Sequence, residues 1–196
     1  MTEFNKFPKM ARWSKEVIVT EKIDGTNAQI FIGEDGEFLT GSRNRWIEPE
    51  NDNFGFSRWA HENKEELMSL GPGRHFGEWW GSGIQRNYGY NKGERFFSLF
   101  NAIRWCKGDP KEIPTGNPNV VKMQDVAPEC VGIVPVLWRG EMDNLDVEKI
   151  LADLVHEGSK ASPGFMNPEG IVIFHVAAGV GFKKTLENDA GKHGGK

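Results

Sequence analysis

Glu21-Lys22-Ile23-Asp24-Gly25-Thr26-Asn27 is the stretch that decides the fold, with Val17-Ile18-Val19 leading into it and Ala28-Gln29-Ile30-Phe31-Ile32 following. It reads as a strand, a tight polar turn and a second strand, with a lysine, an aspartate and a glycine held at the turn. A lysine presented in this way can attack phosphorus once it has lost its proton. At an ordinary pKa of about 10.4 only roughly one lysine in a few thousand is neutral at pH 7. Neighbouring cations and partial burial are therefore expected around Lys22, to bring that value down toward the working pH.

Outward from this stretch, Gly33-Glu34-Asp35-Gly36 reads as a hairpin turn, and Glu37-Phe38-Leu39-Thr40 continues the pairing. Ser57 to Leu70 reads as a helix capped by Ser57, with Trp59, Ala60, Asn63, Leu67 and Leu70 on a loosely amphipathic face and Gly71-Pro72-Gly73 as its end. His75 to Trp79 and Phe96 to Trp105 are aromatic-rich strand candidates on either side of a loop rich in Gly, Asn and Tyr. Val147 to His156 reads as a second helix and Gly170 to Ala178 as a long apolar strand. Strands and helices do not alternate regularly, so the expected class is α+β, with antiparallel sheets flanked by helices.

At 196 residues the chain is expected to form one domain over its whole length. No apolar run approaches 18 residues and the N-terminus lacks a signal-peptide pattern, which points away from membranes and toward the cytoplasm. Cys106 and Cys130 have neither metal-ligand nor redox spacing and read as reduced bystanders. None of His61, His75, His156, His175 and His193 has ligand spacing either. The formal net charge of −4 excludes nucleic-acid binding driven by overall charge, so any such contact falls to local basic clusters.

Five segments stand in a fixed order: Lys22-Ile23-Asp24-Gly25, Ser42-Arg43-Asn44-Arg45, Phe76-Gly77-Glu78-Trp79-Trp80-Gly81, Arg95 to Phe100, and Glu169 to Ile173 followed by Phe182-Lys183-Lys184-Thr185. This order resembles the motif series of the covalent nucleotidyltransferases, the superfamily of polynucleotide ligases and RNA capping enzymes. The phrases His75 to Gly81, Gly83-Ile84-Gln85-Arg86 and Phe182 to Glu187 are most similar to the small ATP-dependent RNA ligases of phages and bacteria. The resemblance runs from about Phe7 to Lys192, nearly the whole chain.

The resemblance implies a nucleotidyltransferase fold and a three-step chemistry. A lysine attacks the α-phosphate of ATP and holds AMP, the AMP passes to a 5′-phosphate end, and a 3′-hydroxyl displaces it to seal the strand. It assigns the nucleophile to Lys22 and gives Asp24 a part in positioning that lysine and metal-bound water, beside the plainer reading that Asp24 makes the turn. Arg43 would meet the ribose or the incoming phosphate. Phe96 or Phe97 would stack on adenine; strand alternation sends one of them to the core and leaves open which.

Glu78 lies between Gly77 and two tryptophans, where an unpaired carboxylate would be costly, so it must have a partner. The resemblance makes that partner the ribose hydroxyls or the metal. Glu169 opens a strand too apolar to bury a carboxylate without a cation; it is the candidate ligand for Mg2+, an ion that prefers oxygen and keeps several waters. Lys183 would neutralise the α-phosphate. Many relatives carry a second lysine two positions later, where this chain has Thr185, so Lys184 could replace it only from the opposite face of a strand.

Trp79, Trp80, Gln85, Arg86, Tyr88 and Tyr90 form an aromatic and basic cluster that suits either nucleic-acid stacking or core packing. After Thr185 a short Gly- and Lys-rich stretch remains, so no OB-fold domain of the DNA-ligase and capping-enzyme kind is expected to follow. The expected partners are RNA ends, with DNA as the alternative. Their positioning would rest on surfaces such as Lys6, Lys9, Arg12, Lys15 and the Lys192 to Lys196 tail.

Overall fold

The strand that ends in Lys22, β1 (Glu16–Lys22), is buried along all five of its interior residues. A strand apolar on both faces belongs inside a sheet with both faces covered. In the computed structural model, which describes residues 6–7, 9–106 and 127–187, β1 pairs antiparallel with β8 (Val136–Glu141) on one side and β9 (Gly170–His175) on the other. With β10 (Val180–Thr185) as an edge strand, this four-stranded sheet runs β10-β9-β1-β8.

The polar turn is not a hairpin. After Lys22 the chain leaves the first sheet, and β2 (Thr26–Ile32) enters a second sheet of six strands. In chain order the others are β3 (Phe38–Ser42), β4 (Trp46–Ile47), β5 (Gly73–Gly81), β6 (Arg95–Leu99) and β7 (Gly132–Ile133), arranged β4-β3-β2-β5-β6-β7. Every pair is antiparallel except β6 with β7. The Gly33–Gly36 turn does join a hairpin, with Ile32 opposite Phe38.

Two helical layers cover these sheets. Phe56 and Ala60 of α1 (Phe56–Glu62) and Leu67 of α2 (Lys64–Leu67) pack with Ile30, Trp79 and Phe97 beneath the six-stranded sheet. Leu151 and Leu154 of α4 (Val147–Glu157) pack on Val19 and Ile171 of the four-stranded sheet. A smaller cluster of Ile23, Trp80, Tyr88 and Phe96 sits where the chain crosses between the sheets. The architecture is α+β with antiparallel-rich sheets, in line with the sequence. Cys106 is a buried free thiol.

Three local expectations change. Ser57 does not cap its helix; its hydroxyl is buried against Thr40, and the Asp52 carboxylate instead accepts the backbone N–H groups of Ser57 at 2.7 Å and Arg58 at 3.0 Å. The helix also breaks at Asn63, which ends α1 and opens α2. The expected strand from Phe96 to Trp105 stops at Leu99, because the Asn101 side chain accepts the N–H of Arg104 and starts the helical turn α3 (Ala102–Trp105).

Candidate active site

Lys22 stands opposite Gly170 in the β1–β9 ladder, so the residue before Gly170 is carried to its side. That residue is Glu169, and Lys22 Nζ lies 2.6 Å from its Oε2 with both side chains mostly buried. The sequence led us to expect cations around Lys22, yet the group in contact with it is an acid. The end of β1 is held in place by Glu21, whose buried carboxylate accepts from Ser159 Oγ at 2.6 Å and from the N–H groups of Lys160 at 2.7 Å and Ala161 at 2.9 Å. Burial raises the pKa of Glu21 despite these donors.

The crossing at Ile23–Gly25 is fastened residue by residue. Asp24 N–H donates to the Tyr88 hydroxyl at 2.8 Å, and Arg86 Nε donates to Asp24 Oδ2 at 3.0 Å. Gly25 N–H donates to Glu78 Oε1 at 3.0 Å. A Cβ at Gly25 would come within 2.4 Å of the Trp79 carbonyl oxygen, so only glycine lets the chain pass this close to β5. The other oxygen of Glu78 accepts from Asn27 Nδ2 at 2.9 Å, as the Asn27–Glu78 register requires.

Glu78 is 7% exposed. Burial pushes its carboxyl from an ordinary 4.5 up to about 7, against the opposing pull of the Lys22 charge and of its two hydrogen bonds. Lys22, Glu78 and Glu169 therefore sit within electrostatic reach of one another.

Lys22 also lines a cleft of about 710 Å³, whose walls include Ile18 and Thr20 of β1, Val172 and Phe174 of β9, and Phe76 and Phe100. That volume lies within the range of small-molecule sites. On β10, Lys183 pairs with Val172 and so shares its face with the cleft wall. Lys184 pairs with Ile171 and points to the α4 side, where its Nζ meets Glu148 at 2.7 Å. Alternation thus puts Lys184 on the face of the sheet opposite Lys183 and the cleft. Arg43 is exposed in the turn after β3, at the end of the sheet where β2 begins.

Neither Phe96 nor Phe97 lines the cleft. Phe97 is fully buried with Phe56 and Trp59, and Phe96 packs on Trp80 and Tyr90. The exposed aromatic on this stretch is Phe100, at 41%. Phe100 lies just past the end of β6 and lines the cleft. Arg86 is the other residue that sequence reasoning left outside the site. Its guanidinium reaches Asp24, the Asn167 carbonyl and Glu187. Trp79 and Trp80 are core residues. Among the surface basic residues Lys15 pairs with Asp143, and residues 192–196 lie outside the described residues.

A sequence model of the RNA ligase family matches residues 15–184. Among solved structures, the fold is similar to the RNA ligase of Naegleria gruberi with PPi, at TM-score 0.56 and 24% identity over 87% of this chain and 49% of that one. A mutant of the same ligase with ATP and Mn matches at TM-score 0.57 and 21% identity, over the same shares of the two chains. The present chain spans about half the length of these relatives. At such identities the likeness is one of fold. No curated protein matches the chain.

Proposed function

This chain belongs to the RNA ligase family, and from that membership we propose that it is an ATP-dependent RNA ligase in which Lys22 carries AMP. The observation that supports this reading best is Lys22, which lines the cleft and pairs with Glu169 behind it, with Glu78 bonded to the backbone of Gly25 nearby. In the first step Lys22 Nζ attacks the α-phosphorus of ATP, a nitrogen–phosphorus bond forms, and pyrophosphate leaves with the electron pair of the broken bond. AMP then passes to the 5′-phosphate of an RNA end, and a 3′-hydroxyl displaces it.

The same proposal gives the surrounding residues their roles. Phe100 offers a ring for adenine in the cleft, and Glu78, beside Lys22, would take the ribose hydroxyls in exchange for its bonds to Gly25 and Asn27. Lys183 and Arg43 supply positive charge toward the phosphates. Asp24, pinned by Arg86 and Tyr88, fixes the backbone that follows the nucleophile.

Among the described residues no group of three or more His, Cys, Asp or Glu could hold a metal ion, so these residues build no closed cage. Glu169 contributes a single carboxylate, which fits magnesium shared with the oxygens of a bound triphosphate and with water. Once bound, such an ion neutralises phosphate charge. No helix of the described residues is long and apolar enough to cross a membrane, and a cytoplasmic place of work is part of the same proposal.

The test is the intact mass of purified protein after incubation with magnesium and either ATP or GTP. A gain of one AMP from ATP alone, absent in Lys22→Ala, is the expected result. Folded, unmodified protein that gains nothing from ATP would sink the reading.

A further inference from the structure

Phe31, Trp46 and Arg74 form a stack on the face of the six-stranded sheet opposite α1 and α2. Alternation puts them there: Phe31 lies between the buried Ile30 and Ile32, Trp46 precedes the buried Ile47, and Arg74 precedes the buried His75. The Arg74 guanidinium lies 5.0 Å from the Phe31 ring centroid and 5.1 Å from that of Trp46. It also donates to Gln29 Oε1 at 3.1 Å. Trp46 lies over Gly41, where an added Cβ would come within 3.0 Å of the indole and press it off the sheet.

This face continues into the cleft. Gln29 stands opposite Phe76 in the β2–β5 ladder, and Phe76 is also a cleft wall. Phe76 is 51% exposed and Trp46 44%, so two large ring surfaces face solvent along one path from the nucleophile. Positive charge accompanies them. Arg43 and Arg45 are exposed in the turn between β3 and β4, and among the described residues neither these two nor Arg74 forms an ion pair. In a chain of net charge −4 this is a local excess of unpaired guanidinium beside open aromatic surface.

We propose that this face is a platform for single-stranded RNA, holding the nucleotides that adjoin the end presented to Lys22. Unstacked bases lie on Trp46 and Phe76, and the phosphates meet Arg43, Arg45 and Arg74. Aromatic faces accept any base, and arginine serves both ring and phosphate, so the site binds strands without reading sequence. An apolar protein partner would leave three guanidiniums without counter-charges, whereas a polyanion supplies them. The choice of RNA rests on the function proposed above; the platform itself rests on the geometry of the sheet.

The test titrates wild-type protein, Trp46→Ala, Trp46→Phe and Arg45→Gln with a fluorescein-labelled 12-nucleotide oligouridylate, beside intact-mass measurement of AMP gain for each. Trp46→Ala is expected to bind about tenfold more weakly and Trp46→Phe close to wild type. Arg45→Gln should flatten the slope of log affinity against log salt by about 0.7. AMP gain should be equal in the wild type and both Trp46 variants. Oligouridylate affinity unchanged in Trp46→Ala, or absent in the wild type at low salt, would overturn the platform and direct attention to a protein occupant. Trp46-dependent RNA binding in a wild type that gains no AMP would overturn the ligase reading and leave the platform standing.

Discussion

Glu78 is a carboxylic acid whose proton the fold retains beyond the range of an ordinary glutamate, and this has a sign that stability measurements can read. Its folded value is about 7 against an ordinary 4.5, so between these limits the native state binds more protons than the unfolded chain. Stability therefore falls as pH rises through this window, by about 3 kcal/mol from this group alone. Urea unfolding of the nucleotide-free protein at pH 5 and pH 8 should show a loss larger by about that amount in wild type than in Glu78→Gln. Equal losses in the two proteins would mean that the raised value is not real. The placement of Glu78 between apolar neighbours was legible in the sequence, since a carboxylate there demands donors; that the donors are Gly25 and Asn27 was not, because they lie 53 and 51 residues away. Arg86 was missed for the same reason, its partner Asp24 being 62 residues distant.

At the scale of elements, the best-defined prediction concerns the start of α1. The Asp52 carboxylate accepts from the N–H groups of Asn53, Ser57 and Arg58, so Asp52→Ala should lower unfolding free energy by about 1 to 2 kcal/mol without changing AMP gain. Chemical denaturation measures the first and intact mass the second. The sequence pointed to Ser57 because serine before an apolar face is the usual opening; the positive φ of Phe54 and Gly55 folds the preceding loop back and brings Asp52 over the helix end instead. The two sides of β10 illustrate the opposite case. Period-two alternation alone separates Lys183 from Lys184, and the ladder with β9 assigns each its face. Phe100 falls outside that reasoning, because it lies in the bend that follows β6.

For the whole molecule, the site is assembled from two sheets that the chain links at residues 23–25 and again at 134–135, and a ligand that fills the cleft touches both. ATP with magnesium should therefore stabilise Lys22→Ala, which cannot consume the nucleotide, by about 2.7 kcal/mol at a hundredfold excess over its dissociation constant. Thermal unfolding with and without nucleotide would register this as an upward shift, and no shift at saturating ATP would place the nucleotide elsewhere. The α+β class was legible because helices and strands do not alternate; the division of strands between the sheets was not, because it depends on pairings remote in sequence. That remoteness has a further effect. β1 leaves the ribosome well before β8 and β9, yet it lies between them, and both are more than a hundred residues downstream. Contacts so distant make for slow folding, and an apolar strand without neighbours is vulnerable to aggregation while it waits. Lys22 thus gains its acidic partner only when synthesis has passed Glu169, and a half-made chain holds the lysine but none of the frame that surrounds it.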